Sequence, residues 1–500
     1  EDSREGITDH YTENAYLSSF GGGIGGSWSA VRSQGTKTSK GSESTGAIPF
    51  MKVVDAEMLA FSQGVTRRGS YAGYLHVTHP EIEEFLDIRK ATGGDINRKC
   101  TNLHHGIVIN DKFMEVIHRA TKEENFDDSW ELIDPHSNEV KKVVSARTLW
   151  VKILQNRMET GEPYLMFEDA VNQDLPEFQK KKGLYVNHSN LCSEITLATN
   201  EERTAVCCLS SVNLEYYDEW SKIPAFIPDL VRMLDNVLQY FIDNAPEQME
   251  RAKYSAMRER SIGLGAMGYH AYLQKNQIPF ESLGASAANY TMFKHIKEDA
   301  LDETRRLAVE RGACPDDDSC EVRNAHLLAI APNASSSIIC GNTSPSIEPF
   351  RANAYTQKTK SGSYLQKNQY LVRLLESKGA NTETVWRDIV SNKGSVQHLE
   401  ILSETEKEVF KTAVEINQSW VVEHAAQRQE FVCQSQSVNL FFPPDVTKGD
   451  LHNVHMLAWA KNLKTLYYLR SEAISRADNV SNQVKREIIF EQEDCLACEG

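Results

Sequence analysis

The chain has 500 residues, of which 40% are hydrophobic and 25% charged, and its formal net charge at pH 7 is −16. These fractions are typical of a soluble globular protein, the acidic balance argues against a nucleic-acid-binding surface, and no apolar run reaches the ~18 residues of a membrane span. Ten cysteines, too few for a secreted disulfide scaffold, favour the reducing cytoplasm, where such residues are catalytic, metal-binding or part of the core.

The first third of the chain alternates predicted helices and strands with polar loops. A glycine run at 21–26 allows the backbone to approach a ligand or a neighbouring strand closely, or else forms a flexible loop. The chain begins at Glu1 with no capping residue, which we interpret as a missing N-terminal portion. The patterns predict helices at 48–62 and 80–90, strands at 70–79 and 105–110, and surface loops at 32–46 and 92–102.

The rest of the chain continues this alternation without an internal repeat of fixed period. Helices are predicted at 146–159, 228–244, 285–311, 404–427 and 451–463, and strands at 326–331, 435–442 and 464–470. Alternation of this kind favours one large α/β unit with mostly parallel strands, here residues 1–470. From residue 471 the chain is polar and aperiodic, so 471–500 are predicted to form a flexible C-terminal tail.

The segment Asn190–Glu194 carries the residues on which we expect the chemistry to depend. If it is an extended strand, Asn190, Cys192 and Glu194 point the same way, with ~6.5–7 Å between successive members of the set. An amide that holds hydroxyls, a thiol and a carboxylate base, together with a second thiol from the strand that contains Cys207 and Cys208, would form a site for redox chemistry on a polyol. The alternative is a buried cysteine that behaves as a small hydrophobe.

Two segments have patterns that are found at phosphate-binding sites, and the second predicts such a site better than the first. The run 263–268 has a Gly-x-Gly-x-x-Gly spacing, but no clear strand precedes it, so close helix packing is favoured over dinucleotide binding. The strand at 326–331 runs into a turn of small residues that opens a helix. Exposed N–H groups there, with the hydroxyls of Ser335 and Ser336, suit a phosphate, and an ordinary capped turn is the alternative.

Two features near the C-terminus indicate redox chemistry. Cys495 and Cys498 lie between acidic residues, and no second Cys-x-x-Cys pair exists. A mobile dithiol that exchanges with a partner disulfide is therefore favoured over half of a zinc site. Tyr467 and Tyr468 are neighbours on an apolar strand. The ordinary interpretation places one in the core and one at the surface, and the alternative makes both redox-active.

Together these motifs resemble the large, catalytic subunit of a class I ribonucleotide reductase. The matching segments occur in the family's order and span nearly the whole chain. They are Asn190–Glu194, the strand 205–210 with Cys207 in register, the turn Pro332, Asn333, Ala334, Ser335 and Ser336 with the segment 346–349, the tyrosine pair within 463–470, and the C-terminal dithiol.

The resemblance implies a ten-stranded α/β barrel with a central finger loop that carries Cys192. It implies that Cys192 forms a transient thiyl radical, which removes the 3′-hydrogen of a ribonucleoside diphosphate. Glu194 is then the general base for the 3′-hydroxyl, and Asn190 hydrogen-bonds the substrate. The product is a 2′-deoxyribonucleoside diphosphate for DNA synthesis.

The resemblance also assigns the reducing and radical-relay residues. Cys207 supplies a reducing electron, and Cys495 with Cys498 re-reduces the site before thioredoxin or glutaredoxin resets them. Tyr468 and Tyr467 relay the radical from a small subunit that has a dinuclear metal cofactor. No metal or cofactor is then expected to be bound by this chain itself.

The two polar loops resemble the family's specificity loops, which implies ATP or deoxynucleoside triphosphate effectors. Gly23 matches a glycine near the substrate, and a homodimer is the family expectation. The effector residues that the resemblance implies are Asp2, Ser3, Arg4, Arg32 and Arg98.

One departure concerns the family's other reducing cysteine, which lies a few residues before the position that matches Asp2. Cys208 should face the opposite side of its strand and is not expected to replace it. We therefore expect a longer protein, or a separate N-terminal polypeptide that docks here and completes the site.

A cobalamin-dependent reductase, which the tyrosine pair disfavours, is the alternative enzyme. A non-catalytic nucleotide-binding scaffold is the alternative outside enzymes.

Overall fold

The computed structural model describes residues 1–61, 69–206, 208–359 and 362–471. The strands in these ranges are β1 Gly23–Ser27, β2 Ser70–His76, β3 His104–Ile109, β4 Ser129–Ile133, β5 Val140–Ser145, β6 Tyr164–Phe167, β7 Leu209–Asn213, β8 Gly263–Met267, β9 Ala354–Thr359, β10 Gly362–Lys367, β11 Leu440–Phe442, β12 Thr465–Leu466 and β13 Leu469–Ser471. The helices are α1 Arg4–Ser19, α2 Ile48–Ala60, α3 Ile82–Phe85, α4 Asp111–Lys122, α5 Ala146–Thr160, α6 Glu168–Gln173, α7 Glu177–Lys181, α8 Tyr217–Trp220, α9 Phe226–Asn244, α10 Glu250–Glu259, α11 Tyr269–Lys275, α12 Leu283–Arg311, α13 Ala334–Ile339, α14 Gln369–Ser377, α15 Glu383–Ser391, α16 Glu404–Val409, α17 Gln418–Gln429 and α18 Lys448–Ala460.

The largest sheet has the order β1-β2-β3-β6-β12. Its first four strands are parallel, and the short β12 joins β6 in the antiparallel direction. The apolar runs of β2, β3 and β6 are buried almost throughout. Strands of this type, covered on both faces, are typical of parallel sheets in α/β proteins.

A second group of parallel strands lies elsewhere in the fold. β7 pairs with β8, and single parallel bridges continue this pairing from Leu264 to Leu328 and from Ile330 to Gln436. β11 pairs in parallel with β13. The prediction of an α/β unit with mostly parallel strands is confirmed, although the predicted strand at 326–331 forms only these bridges.

Two of the clusters that the buried side chains form bear on the site, a main core and a separate group that we call the inner cluster. Helices such as α9 cover the main core with one apolar face, which includes Val231, Leu234 and Leu238. The inner cluster contains residues of β2, β3 and β6 together with Leu191 and Cys192. Within the part of the chain that the structure describes, no helix is both long and apolar enough to cross a membrane.

Three predicted helical features are wrong. The helix predicted at 404–427 is two helices, because the Thr412 backbone N–H donates to the Glu415 carboxylate and Asn417 caps α17. The helix predicted at 80–90 is reduced to the single turn α3. The first residues do include a cap, since the Ser3 hydroxyl accepts a hydrogen bond from the Gly6 N–H and begins α1.

The glycine run at 263–268 forms strand β8 up to Met267, with Gly268 as the left-handed residue before α11, and it is not a helix-packing segment as predicted. Its glycines allow close approach of neighbouring strands. A Cβ atom on Gly265 would lie 2.5 Å from the Ala329 carbonyl oxygen, and one on Gly263 would lie 2.3 Å from the Leu209 side chain. These glycines therefore allow close packing within the sheet.

Candidate active site

The segment Asn190–Glu194 is a turn and not the extended strand that we expected. The Ser193 N–H donates to the Asn190 carbonyl at 3.3 Å, and Ser193 has a left-handed backbone with φ +65°. The alternation of side chains along a strand therefore does not apply here. A serine in the left-handed region is uncommon and persists where the surroundings fix the backbone.

Hydrogen bonds from both groups of strands fix this turn. From the largest sheet, the Tyr74 hydroxyl donates to the Asn190 carbonyl at 2.9 Å, and the Thr465 hydroxyl donates to the Ser193 carbonyl at 2.8 Å. From the opposite group, the Ser437 hydroxyl donates to the Cys192 carbonyl at 2.6 Å. The backbone around Cys192 is thus held from two sides.

Cys192 and Glu194 are both fully buried. Both lie near Tyr74. Burial raises the pKa of the Tyr74 hydroxyl well above its usual value, and the nearby Cys192 and Glu194 side chains raise it further. The structure therefore brings the predicted thiol and carboxylate close to the same phenol, although by a turn and not by strand alternation.

Tyr467 and Tyr468 are both buried, with 2% and 5% of their surfaces exposed. Their ring centroids lie 4.3 Å apart at an interplanar angle of 53°. The ordinary interpretation, with one tyrosine at the surface, is wrong because the strand is interrupted here: β12 ends at Leu466 and β13 begins at Leu469.

Both tyrosines belong to the inner cluster that contains Cys192. The cluster also holds a third aromatic ring, Tyr164 of β6, whose centroid lies 4.7 Å from that of Tyr467 and 5.0 Å from that of Tyr468. No sequence motif pointed to Tyr164. Nothing in the apolar run of β6 distinguishes it from an ordinary core aromatic, so only the packing reveals its position.

A cavity of about 1070 Å³ adjoins the turn. Its lining includes Gly23, Gly25, His188, Asn190 and Leu209. A Cβ atom on Gly25 would lie 2.2 Å from the Ser189 carbonyl oxygen, so the glycine run of β1 allows the backbone of the Cys192 segment to pack directly against it. Gly23 and Asn190 thus share one cavity.

The turn Pro332–Ser336 opens a helix as predicted, since α13 begins at Ala334. Asn333 has a left-handed backbone with φ +53°, and its side-chain amide hydrogen-bonds the Ser211 hydroxyl of β7. Among the described residues that line the cavity, none belongs to this turn. Phosphate binding by the turn remains a prediction.

Four of the five predicted effector residues lie at one end of α1. Ser3 caps this helix, and Arg4 is its first residue. The Arg32 Nε–H donates to the Asp2 carboxylate at 2.6 Å. The loop that Arg32 begins is held by Asp134, whose carboxylate accepts hydrogen bonds from the loop.

Arg98, the fifth, lies on the second loop and contacts the end of the first. Its guanidinium donates to the Glu84 carboxylate at 2.6 and 2.7 Å, to Glu81 at 2.8 Å and to the Thr45 carbonyl at 2.9 Å. The two loops therefore meet at Arg98.

Cys208 belongs to the main core and not to the inner cluster that contains Cys192. Its thiol lies under α9, 3.5 Å from the Leu234 carbonyl, and burial raises its pKa to about 11. Cys207, Cys495 and Cys498 lie outside the described residues.

The chain matches the family model of the ribonucleotide reductase barrel domain over residues 1–321 and 318–469. The putative ribonucleoside-diphosphate reductase large subunit of Frog virus 3 is 49% identical over 502 residues, which cover 100% of this chain and 86% of that protein. The ribonucleoside-diphosphate reductase large subunit of Invertebrate iridescent virus 3 is 43% identical over 549 residues, with 100% and 86% covered.

The fold is similar to a solved structure, the class Id ribonucleotide reductase alpha subunit of Actinobacillus ureae. The TM-score is 0.82 at 35% sequence identity, and the match covers 95% of this chain and 83% of that one. The chain belongs to the ribonucleotide reductase family as a class I large, catalytic subunit, and it is an enzyme that reduces ribonucleoside diphosphates to deoxyribonucleotides.

Proposed function

We propose that reduction proceeds through a thiyl radical on Cys192, at the tip of a finger loop inside a ten-stranded α/β barrel. Two groups of parallel strands support this architecture, and the backbone around Cys192 accepts hydrogen bonds from both. Tyr74 belongs to one group, and Ser437 adjoins the other through its N–H bond to Ile330.

The position of Cys192 with Tyr467 and Tyr468 in one buried apolar cluster carries the proposal. A radical relay needs redox-active side chains in contact, and it needs water excluded from reactive intermediates. Tyr468 accepts the radical from the small subunit, Tyr467 passes it on, and Cys192 receives it. The metal and its radical belong to that small subunit, and this chain supplies the relay tyrosines and the thiol that receives the radical.

The ribonucleoside diphosphate occupies the cavity beside Gly23 and Asn190. Cys192 removes the 3′-hydrogen while Glu194 takes the 3′-hydroxyl proton as general base. The small residues and helix-opening geometry of the turn suit the diphosphate. The residues proposed for that contact are Pro332, Asn333, Ala334, Ser335 and Ser336.

Cys207 is proposed as a reducing thiol, and loss of the 2′-hydroxyl as water consumes its electron. Cys495 and Cys498 are proposed to re-reduce the site by thiol–disulfide exchange and to be reset by thioredoxin or glutaredoxin. A cycling dithiol requires a reducing compartment, which places the proposed activity in the cytoplasm.

Nucleotide effectors are proposed to bind at the start of α1 and to act through the two loops. The ion pair of Arg32 with Asp2 and the contact of Arg98 with Thr45 join these segments. ATP or deoxynucleoside triphosphates would then select the base that is reduced, in a homodimer of this chain.

A Cys192→Ser variant tests the radical assignment. The variant is assayed with its small subunit, reductant and a ribonucleoside diphosphate. Turnover should fall by about three orders of magnitude or more, because a tyrosyl radical cannot oxidise the serine hydroxyl to an alkoxyl radical. Cys208→Ser is the matched control and should retain turnover, since its hydroxyl can still donate to the Leu234 carbonyl. Appreciable turnover in a correctly folded Cys192→Ser variant would contradict the proposal.

A further inference from the structure

Tyr468 has a polar neighbour, His104, that no sequence motif indicates. The Nδ1 atom of His104, the first residue of β3, lies 3.2 Å from the Tyr468 hydroxyl oxygen. The two rings meet edge to face with centroids 6.1 Å apart, and the His104 ring also stacks on Tyr164 at an angle of 17°. His104 therefore contacts Tyr468 through a polar atom.

Glu162 fixes the His104 ring. Its carboxylate is 1% exposed and lies 2.6 Å from His104 Nδ1. Burial opposes ionisation of Glu162, but the charges of Arg89 and His104 and hydrogen bonds from His104 and His105 hold its pKa well below the usual value. Glu162 is thus a carboxylate, which only accepts hydrogen bonds.

The proton between Glu162 and His104 must therefore sit on His104 Nδ1. The Arg89 Nη1 group also lies 3.0 Å from His104 Nδ1, but its two hydrogens have acceptors in the Leu103 carbonyl at 2.7 Å and in Glu162 at 2.9 Å. The single Nδ1–H is therefore shared between two acceptors, the Glu162 carboxylate at 2.6 Å and the more distant Tyr468 oxygen at 3.2 Å.

We propose that His104, held by Glu162, is a positioning residue that donates a hydrogen bond to the Tyr468 oxygen and stabilises the phenoxyl radical there. This inference rests on the proposed radical relay. Tyr468 gives the electron and proton of its O–H bond to the radical group of the small subunit, which is reduced. The His104 proton stays on Nδ1. Tyr468 then regains a hydrogen atom from Tyr467.

A spectroscopic experiment on the complete enzyme tests the contact directly. Tyr468 is replaced by 3-aminotyrosine, which is easier to oxidise, and the enzyme is mixed in D₂O with its small subunit, substrate and effector. High-field electron paramagnetic resonance and deuterium double resonance then detect any exchangeable deuteron that is hydrogen-bonded to the residue-468 radical. We expect one such coupling with His104 present and its loss in His104→Phe.

The matched control is His105→Phe, on the same strand, because His105 also contacts Glu162 but faces Phe85 and not Tyr468. This control should keep the deuteron coupling. In the enzyme with natural Tyr468, His104→Phe should lower turnover about tenfold at unchanged KM for the diphosphate, as expected for one lost hydrogen bond. His104→Asn, which retains an N–H donor, should recover part of the loss.

A deuteron coupling that persists in His104→Phe would overturn the role of His104 and leave the relay intact. Absence of any radical at position 468 when His104 is present would instead overturn the proposed relay, and this inference with it.

Discussion

The ring centroids of Tyr467 and Tyr468 lie 4.3 Å apart, although residues adjacent in a strand normally face opposite sides. The strand is interrupted at this pair, since β12 ends before it and β13 begins after it. Both rings can therefore enter the apolar cluster that contains Cys192. The interruption is the local feature that converts two sequence neighbours into a contact pair.

Replacing Tyr467 by phenylalanine should abolish nucleotide reduction and preserve the fold. The ring and its packing remain, so the free energy of unfolding should change by no more than about 1 kcal/mol, the contribution of one hydrogen bond. Without the O–H group the relay is broken, and turnover should fall by about three orders of magnitude or more. Steady-state assays with the small subunit, together with chemical denaturation, measure both effects.

Tyr272→Phe is the matched control, because its hydroxyl bonds Asp218 on a partly exposed surface away from the inner cluster. It should retain turnover. If Tyr467→Phe also turned over at the rate of the unmodified enzyme, the tyrosine pair would not be the radical path.

Gly25→Ala should impair catalysis by displacing the Cys192 segment. The new Cβ atom would lie 2.2 Å from the Ser189 carbonyl and 2.9 Å from the Asn190 Cα atom, so this backbone must move. A displacement of about 1 Å at a catalytic segment costs on the order of a hundredfold in rate. Gly449→Ala is the control, since its nearest neighbour would be 3.7 Å away. Equal turnover in both variants would show that this close approach does not position Cys192.

Much of the architecture is predictable from the sequence because the periodic signals are strong. The amphipathic pattern of α9 and the apolar runs of β2 and β3 define these elements within a few residues. The error at 404–427 has a local cause, because Thr412 and Asn417 supply hydrogen bonds that end one helix and start another. Periodicity does not register such side-chain competition with the backbone.

The geometry of the candidate site differs from the one that the sequence predicts. The sequence pattern groups Asn190, Cys192 and Glu194 on one face of a strand, but the left-handed Ser193 makes their segment a turn. Neither Tyr164 nor His104 could be found, because their contacts join strands that are remote in sequence. Side-chain patterns along one strand do not determine which residues face one another across several.

Arg98→Met should weaken the effector-dependent choice of substrate. This arginine joins the second loop to Thr45 of the first, and Met keeps the length of the side chain without its donors. We expect the ratio of turnover on two ribonucleoside diphosphates to respond less to effector, with basal turnover retained. Arg119→Met is the control, because Arg119 forms an exposed pair with Glu123. An undiminished effector response would argue against coupling through Arg98.

Asp134→Asn should weaken the hydrogen bonds that hold the first loop, and the resulting loss of stability should depend on pH. The Asp134 carboxylate accepts from the Ser33 N–H at 2.7 Å, from the Ser33 hydroxyl at 2.6 Å and from Thr36 at 2.8 Å. Burial opposes ionisation, but these bonds and one from Ser137 hold the pKa of Asp134 below its ordinary value of 3.8. At neutral pH the variant should lose about 1–3 kcal/mol of unfolding free energy.

A lowered pKa in the folded state stabilises the protein above the unfolded-state value, and this stabilisation is lost as the pH falls toward the folded-state value. The difference between Asp134→Asn and the parent should therefore be constant near neutral pH and shrink below about pH 3.8. Denaturant titrations at several pH values measure it. Asp127→Asn, whose carboxylate bonds only within an exposed turn, is the control. A stability difference for Asp134→Asn that does not change with pH would mean that the loop does not depend on the charged carboxylate.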